Sequence, residues 1–206
     1  MSARDKADRV VDESPAIRLK RVYLALCRDD EPPSDADRAF LLDLGKRALP
    51  DDLAEMLLRT FKVIGDPSAE PLVEPFLHRT DAPILVDVAL QALWWMGLTA
   101  KYKPFILQAV EPGFAWDAPS ADIHVTALYA AGSYLREHHD KEFARMIAEF
   151  AGRDYHAADT EEESSRIGAA QTAAGLAMGA DPEALAYDDE LEEKCCARFL
   201  AERKDG

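Results

Sequence analysis

The residues of this sequence that most resemble a metal-binding set are four consecutive ones, Glu137, His138, His139 and Asp140. Neighbouring side chains on an α-helix point about 100° apart, so both imidazoles reach one ion only if the helix breaks between them. The cluster lies where a predicted long helix ends, and histidines at that position interact favourably with the helix dipole. We therefore expect no metal site and no cofactor in this protein.

The three cysteines, Cys27, Cys195 and Cys196, do not form the pattern of a disulfide framework, because their number is odd and two of them are adjacent. They are typical of reduced thiols in a reducing compartment. The sequence also lacks glycine-rich phosphate loops, nucleophile motifs and the ligand spacing of zinc sites. These absences argue against catalysis, although they do not exclude an enzyme.

The charge balance restricts the class of partner. The chain of 206 residues has 39 acidic and 24 basic side chains, which gives a formal net charge of −15. Such a charge repels nucleic-acid phosphates, whereas it attracts a basic protein and speeds its association. Solubility alone is the other explanation of this charge. The polar N-terminus and the interrupted apolar runs indicate neither a signal peptide nor a membrane span, so we expect a cytoplasmic protein.

The elements that must position any site are all predicted to be helices. Apolar residues recur with helical spacing along the chain, and no run alternates in the manner of a strand. We expect a flexible segment over 1–15 and one all-α domain over 16–206, with about nine or ten helices. The predicted helices are 17–28, 35–48, 53–64, 68–79, a longer one that ends at Met96 and Gly97, 101–110, 122–137, 140–150, 160–178 and a capping helix over 188–203.

Short and long helices alternate in this prediction, and a glycine closes each long one. The segment from Gly65 to Gly97 opens with glycine, aspartate and proline, continues with a short helix, and ends with a long helix. The pair Ala127 and Leu128 precedes Gly132 as Ala92 and Leu93 precede Gly97. This regular spacing is typical of a protein built from stacked helix pairs.

On these residues the chain resembles the HEAT-like helical repeat family over 51–179, where either Gly175 or Gly179 ends the last repeat. The resemblance implies an α-solenoid of antiparallel helix pairs; an irregular helical bundle is the alternative fold. Many binding proteins and a few enzymes use this scaffold, so the resemblance alone assigns no function.

Alignment of the long helices on their closing glycines isolates nine positions, which we call the polar stripe. They lie ten, six and three residues before each glycine: Glu55, Arg59 and Lys62; Asp87, Gln91 and Trp94; Asp122, Thr126 and Tyr129. Spacings of four and three residues place each trio on one helix face, opposite the apolar positions. We therefore expect the stripe to face outward, and the resemblance implies that it lines the concave surface.

Carboxylates beside exposed aromatic rings are suited to binding lysine and arginine side chains. The sequence therefore predicts a non-catalytic adaptor or inhibitor that uses an acidic, aromatic-flanked concave face to hold a basic protein, and an immunity or antitoxin protein is one such inhibitor by analogy. The alternative is that the tryptophans pack between helices and that the acidic side chains only keep an exposed helix face soluble, without binding a partner. The predicted partner-binding residues are Glu55, Asp87, Gln91, Trp94, Trp95, Asp122, Thr126 and Tyr129.

A second hypothesis is an enzyme or small-molecule binder of the same fold. Its pocket would be formed by Asp87, Trp94, Asp122, His124 and Tyr129. His124 takes the position that Ala89 has in the preceding repeat, so it is either a packed core histidine or the floor of that pocket. The loop 111–120 contains Phe114 and Trp116, which either tuck beneath the loop or form a lip over the groove.

Overall fold

The computed structural model describes residues 13–29, 32–111 and 122–204. These residues form no strand, which confirms the all-α prediction, and none of their helices is long and apolar enough to cross a membrane. The eleven α-helices within them are α1 (Pro15–Asp29), α2 (Asp35–Leu44), α3 (Asp51–Ile64), α4 (Glu70–Val73), α5 (Pro83–Trp95), α6 (Lys103–Val110), α7 (Ile123–Leu135), α8 (Lys141–Ala151), α9 (Glu161–Ala177), α10 (Pro182–Tyr187) and α11 (Asp189–Lys204).

The long helices pack in the order of the chain. Helix α3 packs against α5, α5 against α7, α7 against α9, and α9 against α11. The shorter α6 packs against α7, and α8 packs against α9. Because α5 and α7 each have neighbours on several sides, fully buried residues such as Val86, Leu90 and Leu128 surround most of their circumference. This serial packing places the three trios of the polar stripe on adjacent helices.

Two local predictions are wrong, both at prolines. The predicted helix over 68–79 is interrupted, since 3-10 turns at Pro67–Ala69 and Glu74–His78 flank the single turn of α4. Pro71 and Pro75 each lack the backbone N–H that a continuous helix would use as a donor, which explains the interruption.

Helix α10 is the second difference, because no helix is predicted between 178 and 188. The carboxylate of Asp181 accepts a hydrogen bond from the Glu183 N–H at 2.8 Å, and Pro182 occupies the first turn. Proline at this position is favourable, because the N–H that it lacks has no partner within the helix. The two residues thus end one helix and begin the next.

Three of the predicted closing glycines do end helices. Gly65, Gly97 and Gly179 follow α3, α5 and α9 with φ of 64°, 75° and 82°. These left-handed values strain any residue with a side chain and are typical of helix C-termini. Gly179, and not Gly175, ends the last repeat-like helix.

Gly132 has a different role from these three glycines, because it lies inside a helix, as it does in the predicted helix over 122–137. It lies inside α7, which continues to Leu135. A Cβ atom at position 132 would lie 2.9 Å from the Cα atom of Ala173 on α9, and closer still to the carbonyl oxygen of that residue. The glycine is therefore required because the backbones of α7 and α9 approach each other at this point.

Candidate functional site

A chain of side-chain hydrogen bonds joins the polar stripe across three helices. The Lys62 ammonium of α3 donates to Gln91 Oε1 of α5 at 2.7 Å, and Gln91 Nε2 donates to Asp87 Oδ2 at 2.9 Å. From α7, the Thr126 hydroxyl donates to Asp87 Oδ1 at 2.6 Å. The structure thus brings four of the nine predicted positions into one network.

Asp87 is the centre of this network, and both of its carboxylate oxygens accept hydrogen bonds. Burial raises the pKa of Asp87 above its usual value, and the negative charge of Asp122 raises it further. The hydrogen bonds from Thr126 and Gln91 act in the opposite direction, as does the charge of Lys62. Asp87 is therefore a half-buried, internally bonded carboxylate, and it contributes more to holding helices together than to an open acidic surface.

Thr126 does not face outward as expected, since only 6% of its surface is exposed. The equivalent positions on α3 and α5, Arg59 and Gln91, are half-buried. Helix α7 has α5, α6, α8 and α9 around it, and none of its residues is exposed, whereas α3 and α5 each have exposed residues. The predicted outward orientation therefore does not hold for Thr126, because neighbouring helices surround α7.

The carboxylates at the two ends of the stripe are more accessible. Glu55 accepts hydrogen bonds from Arg59 on the next turn of α3, with 2.9 Å to Nε. Asp122 is exposed immediately before α7. Three carboxylates and two basic side chains leave the stripe with a formal charge of −1. The stripe is therefore only weakly acidic, because Arg59 and Lys62 offset most of its negative charge.

The two tryptophans have different environments. Trp95 is 60% exposed, whereas Trp94 is half-buried and packs against the hydrophobic core, as does Tyr129. The Lys62 ammonium lies 5.9 Å from the centroid of the Trp95 ring, at the range of a cation–π contact. Of the three aromatic residues predicted for the site, Trp95 is thus the one that presents a large apolar surface to solvent.

Trp95 lies where the carboxyl ends of α3 and α5 meet. A Cβ atom on Gly65 would lie 3.3 Å from the Trp95 carbonyl oxygen, so the two helix ends abut. Val63, near the end of α3, is also 45% exposed. Apolar groups exposed at one junction, beside a hydrogen-bonded network, are a typical composition of a protein-binding surface.

His124 contacts α9 and not the stripe. Its Nε2 atom lies 3.1 Å from the Ser165 hydroxyl oxygen, and the side chain is half-buried. Burial lowers the pKa of His124, and the positive charge of Arg166 lowers it further. Within the described residues no carboxylate bonds the second ring nitrogen, so the third member of a nucleophilic triad is not found among them. The packed-histidine interpretation fits these contacts, and a pocket around His124 stays a prediction.

The histidine and acid cluster after α7 has structural partners. Asp140 caps α8 by accepting from the Glu142 and Phe143 N–H groups at 3.0 and 3.1 Å. It also forms an ion pair with Lys103 at 2.6 Å. The His138 ring stacks on Tyr134, with centroids 4.3 Å apart. Across residues 13–29, 32–111 and 122–204, no three potential ligands come together as a metal site.

Two predictions concern residues outside the described ranges. Phe114 and Trp116, with the loop after Glu111, lie there, as do residues 1–12 of the predicted flexible segment 1–15. Pro15, the last residue of that segment, already begins α1.

No protein-family model, curated protein or solved structure shows significant similarity to this chain. Its function must therefore be argued from its own residues.

Proposed function

We propose that this chain is a non-catalytic, HEAT-like α-solenoid that binds a basic protein partner in the cytoplasm. The serial packing of α3, α5, α7 and α9, with the shorter α6 and α8 packed against α7 and α9, supports the solenoid. The net charge of −15 supports a basic partner, because it attracts positive surfaces over long range.

The observation that carries the proposal is the exposure of Trp95 beside a rigid polar network. Tryptophan is among the residues that contribute most to protein interfaces, and an indole that is 60% exposed is available for such a contact. The hydrogen bonds among Lys62, Gln91, Asp87 and Thr126 fix its surroundings before binding, which reduces the entropy lost on association.

A partner cation has two kinds of contact available here. A guanidinium or ammonium group can stack on the Trp95 ring, and the accessible carboxylates of Glu55 and Asp122 can pair with neighbouring basic side chains. In this arrangement Asp87, Gln91, Trp94, Thr126 and Tyr129 support the surface from within. An immunity or antitoxin protein that blocks a basic toxin is one specific form of this proposal.

Affinity capture from the cells that encode the protein tests the proposal. The bait variants are Trp95→Ala and Asp122→Lys, because Asp87 and Trp94 are packed and their substitution would disturb the fold. We expect Trp95→Ala to weaken the major complex by about 2 kcal/mol, which is roughly thirtyfold in Kd. Asp122→Lys should also weaken it, since it places a positive charge beside the bound cation.

Matched controls are Tyr187→Ala, which removes another exposed ring, and Glu202→Lys, which makes the same charge change on α11. Both controls should retain the partner. If Trp95→Ala and Asp122→Lys retain it as well as the controls do, the stripe is not the binding surface. A captured partner with an acidic surface would also contradict the proposal.

A further inference from the structure

A cleft of about 650 Å³ lies at the opposite end of the chain of helices, and we call it the α11 cleft. It is bounded by the end of α8, the segment 152–157, α9 and one side of α11. Gly168, Ala197 and Leu200 contribute to its apolar lining. A space of this size accommodates a few side chains of another protein.

One wall of the α11 cleft is aromatic. Tyr155 is 46% exposed, and its ring lies on α9, where a Cβ atom on Gly168 would be 3.4 Å from Tyr155 Cε2. The turn that carries this ring is fixed by Asp154, whose carboxylate accepts from the His156 N–H at 2.9 Å. The absence of a side chain at Gly168 therefore lets the ring rest against the helix, with almost half of its surface open.

The polar lining is strongly negative. Four carboxylates belong to it, and they are Asp154, Asp189, Glu192 and Glu193. The single cation of the lining, Arg153, lies against the Phe150 ring and forms ion pairs with Glu149 and Glu163, at 3.7 and 3.3 Å. Its charge is thus already compensated by acids outside the cleft.

Helix α11 arranges charge differently on its two sides. Away from the cleft, its charges form complementary pairs four residues apart, Glu190 with Lys194 and Arg198 with Glu202. On the cleft side, Asp189 and Glu193 are also four residues apart, but both are negative, exposed and without an ion pair among the described residues. Like charges at this spacing repel each other on a helix surface. A cation in the cleft would relieve that repulsion.

We propose that the α11 cleft binds a lysine- or arginine-bearing segment of a protein partner. The cationic head would pair with Asp189 and Glu193, and the Tyr155 ring offers it a cation–π face. The aliphatic stem would lie on Ala197 and Leu200, as the stems of long basic side chains commonly do. This surface is separate from the polar stripe and does not depend on the role of Trp95.

Selection of random peptides displayed on phage, with the full-length protein as the target, provides the probes for a test. Peptides that bind are synthesised with a fluorescent label, and their affinities are measured by anisotropy. We expect the enriched peptides to be rich in lysine and arginine. Asp189→Lys combined with Glu193→Lys should weaken their binding at least about tenfold, which corresponds to the loss of a central contact.

The matched control is Glu190→Lys combined with Glu202→Lys, which makes the same total charge change on the same helix away from the cleft. We expect it to change affinity less than about twofold, because exposed charges at a distance are screened by salt. A second comparison, Tyr155→Ala against Tyr187→Ala, keeps charge constant. Tyr155→Ala should weaken binding and Tyr187→Ala should not.

Three results would overturn the inference. In the first, every enriched peptide binds the cleft variants as tightly as it binds the wild type; in the second, selection yields no basic peptides. The third result is an increase of mass with concentration in analytical ultracentrifugation that the cleft variants abolish, which would identify a second copy of this chain as the occupant. Trp95→Ala separates the two proposals, because it should leave peptide binding at the cleft unchanged while it weakens capture of the host partner.

Discussion

The central carboxylate of the polar stripe, Asp87, and the two exposed carboxylates of the α11 cleft, Asp189 and Glu193, differ in whether they have internal partners. In the stripe, Asp87 accepts hydrogen bonds from Gln91 of its own helix and from Thr126 of α7, and Arg59 donates to Glu55. In the cleft, Asp189 and Glu193 are two negative charges four residues apart, and neither forms an ion pair with any of the described residues. A carboxylate that is bonded internally stabilises the fold, whereas one without a partner is available to a ligand. The two regions therefore differ in role although their sequences are similarly rich in acids.

The largest effect is expected at the joint between the two regions, where α7 meets α9. Gly132→Ala would force the two backbones apart, since no flexible side chain is present to yield. We expect the free energy of unfolding to fall by about 3 kcal/mol, the upper part of the range for overpacking. Urea denaturation measures this difference.

Gly152→Ala is the control, because a Cβ atom there has only ordinary contacts, 3.5 Å from the Ala148 carbonyl oxygen. It should change the free energy of unfolding little. A Gly132→Ala protein as stable as the wild type would mean that the backbones of α7 and α9 are not in close contact. The helices of the stripe and those of the cleft would then not be joined as described.

The next effect compares two threonines that donate to carboxylates. The Thr126 hydroxyl bonds Asp87 at 2.6 Å in the stripe, and the Thr172 hydroxyl bonds Glu192 at 2.5 Å in the cleft. Thr126→Val leaves a buried carboxylate oxygen without its donor, so we expect a loss of about 2 kcal/mol in the free energy of unfolding. Thr172→Val should cost less than half as much, because Thr172 and Glu192 are only half-buried and water can replace the hydroxyl.

The same denaturation experiment decides the comparison. Equal losses for the two variants would show that Asp87 is no more dependent on internal donors than Glu192, and the distinction between the two regions would fail.

Much of the fold could be predicted because its signals are local. Capping acids, prolines and glycines marked most helix ends, and Gly65, Gly97 and Gly179 adopt the left-handed conformation expected of helix terminators. The role of Gly132 could not be predicted, since it depends on the approach of α9, which is distant in the sequence. The sequence alone does not distinguish a glycine that ends a helix from a glycine that is required by the close approach of another helix.

The site was predicted only in part for a similar reason. The period of the helix grouped these positions on one side, but the burial of Thr126 and the different exposure of Trp94 and Trp95 depend on how the neighbouring helices pack around each residue. The α11 cleft was not predicted, because its residues come from four separate segments. One local signal was available. Asp189 and Glu193 are four residues apart, as Glu190 and Lys194 are, but they are both negative, whereas Glu190 and Lys194 have opposite charges.

A smaller effect concerns pH at His124, which joins α7 to α9. Burial and the charge of Arg166 hold the pKa of His124 below its usual value, against the opposing charges of Asp122 and Glu162. The unfolded chain therefore takes up this proton first as the pH falls, and the folded state loses stability from about pH 7 downward. We expect His124→Gln to reduce the loss of unfolding free energy between about pH 7 and pH 5.

Denaturant titrations at several pH values measure this dependence, and His139→Gln, which changes an exposed histidine, should keep the wild-type profile. A His124→Gln protein with the same profile would show that the histidine is not held between the helices in its neutral form.

The smallest effect tests the unpaired charges of the cleft directly. Glu193→Gln removes one of two like charges on α11, so we expect the free energy of unfolding to rise by about 0.3 kcal/mol. Glu190→Gln changes the net charge equally but removes the pair with Lys194, so it should lower that free energy by a similar amount. Paired thermal melts and amide exchange along α11 resolve the opposite signs, and high salt should reduce both. If Glu193→Gln is not stabilising, Asp189 and Glu193 do not repel each other, and the α11 cleft loses its electrostatic reason to bind a cation.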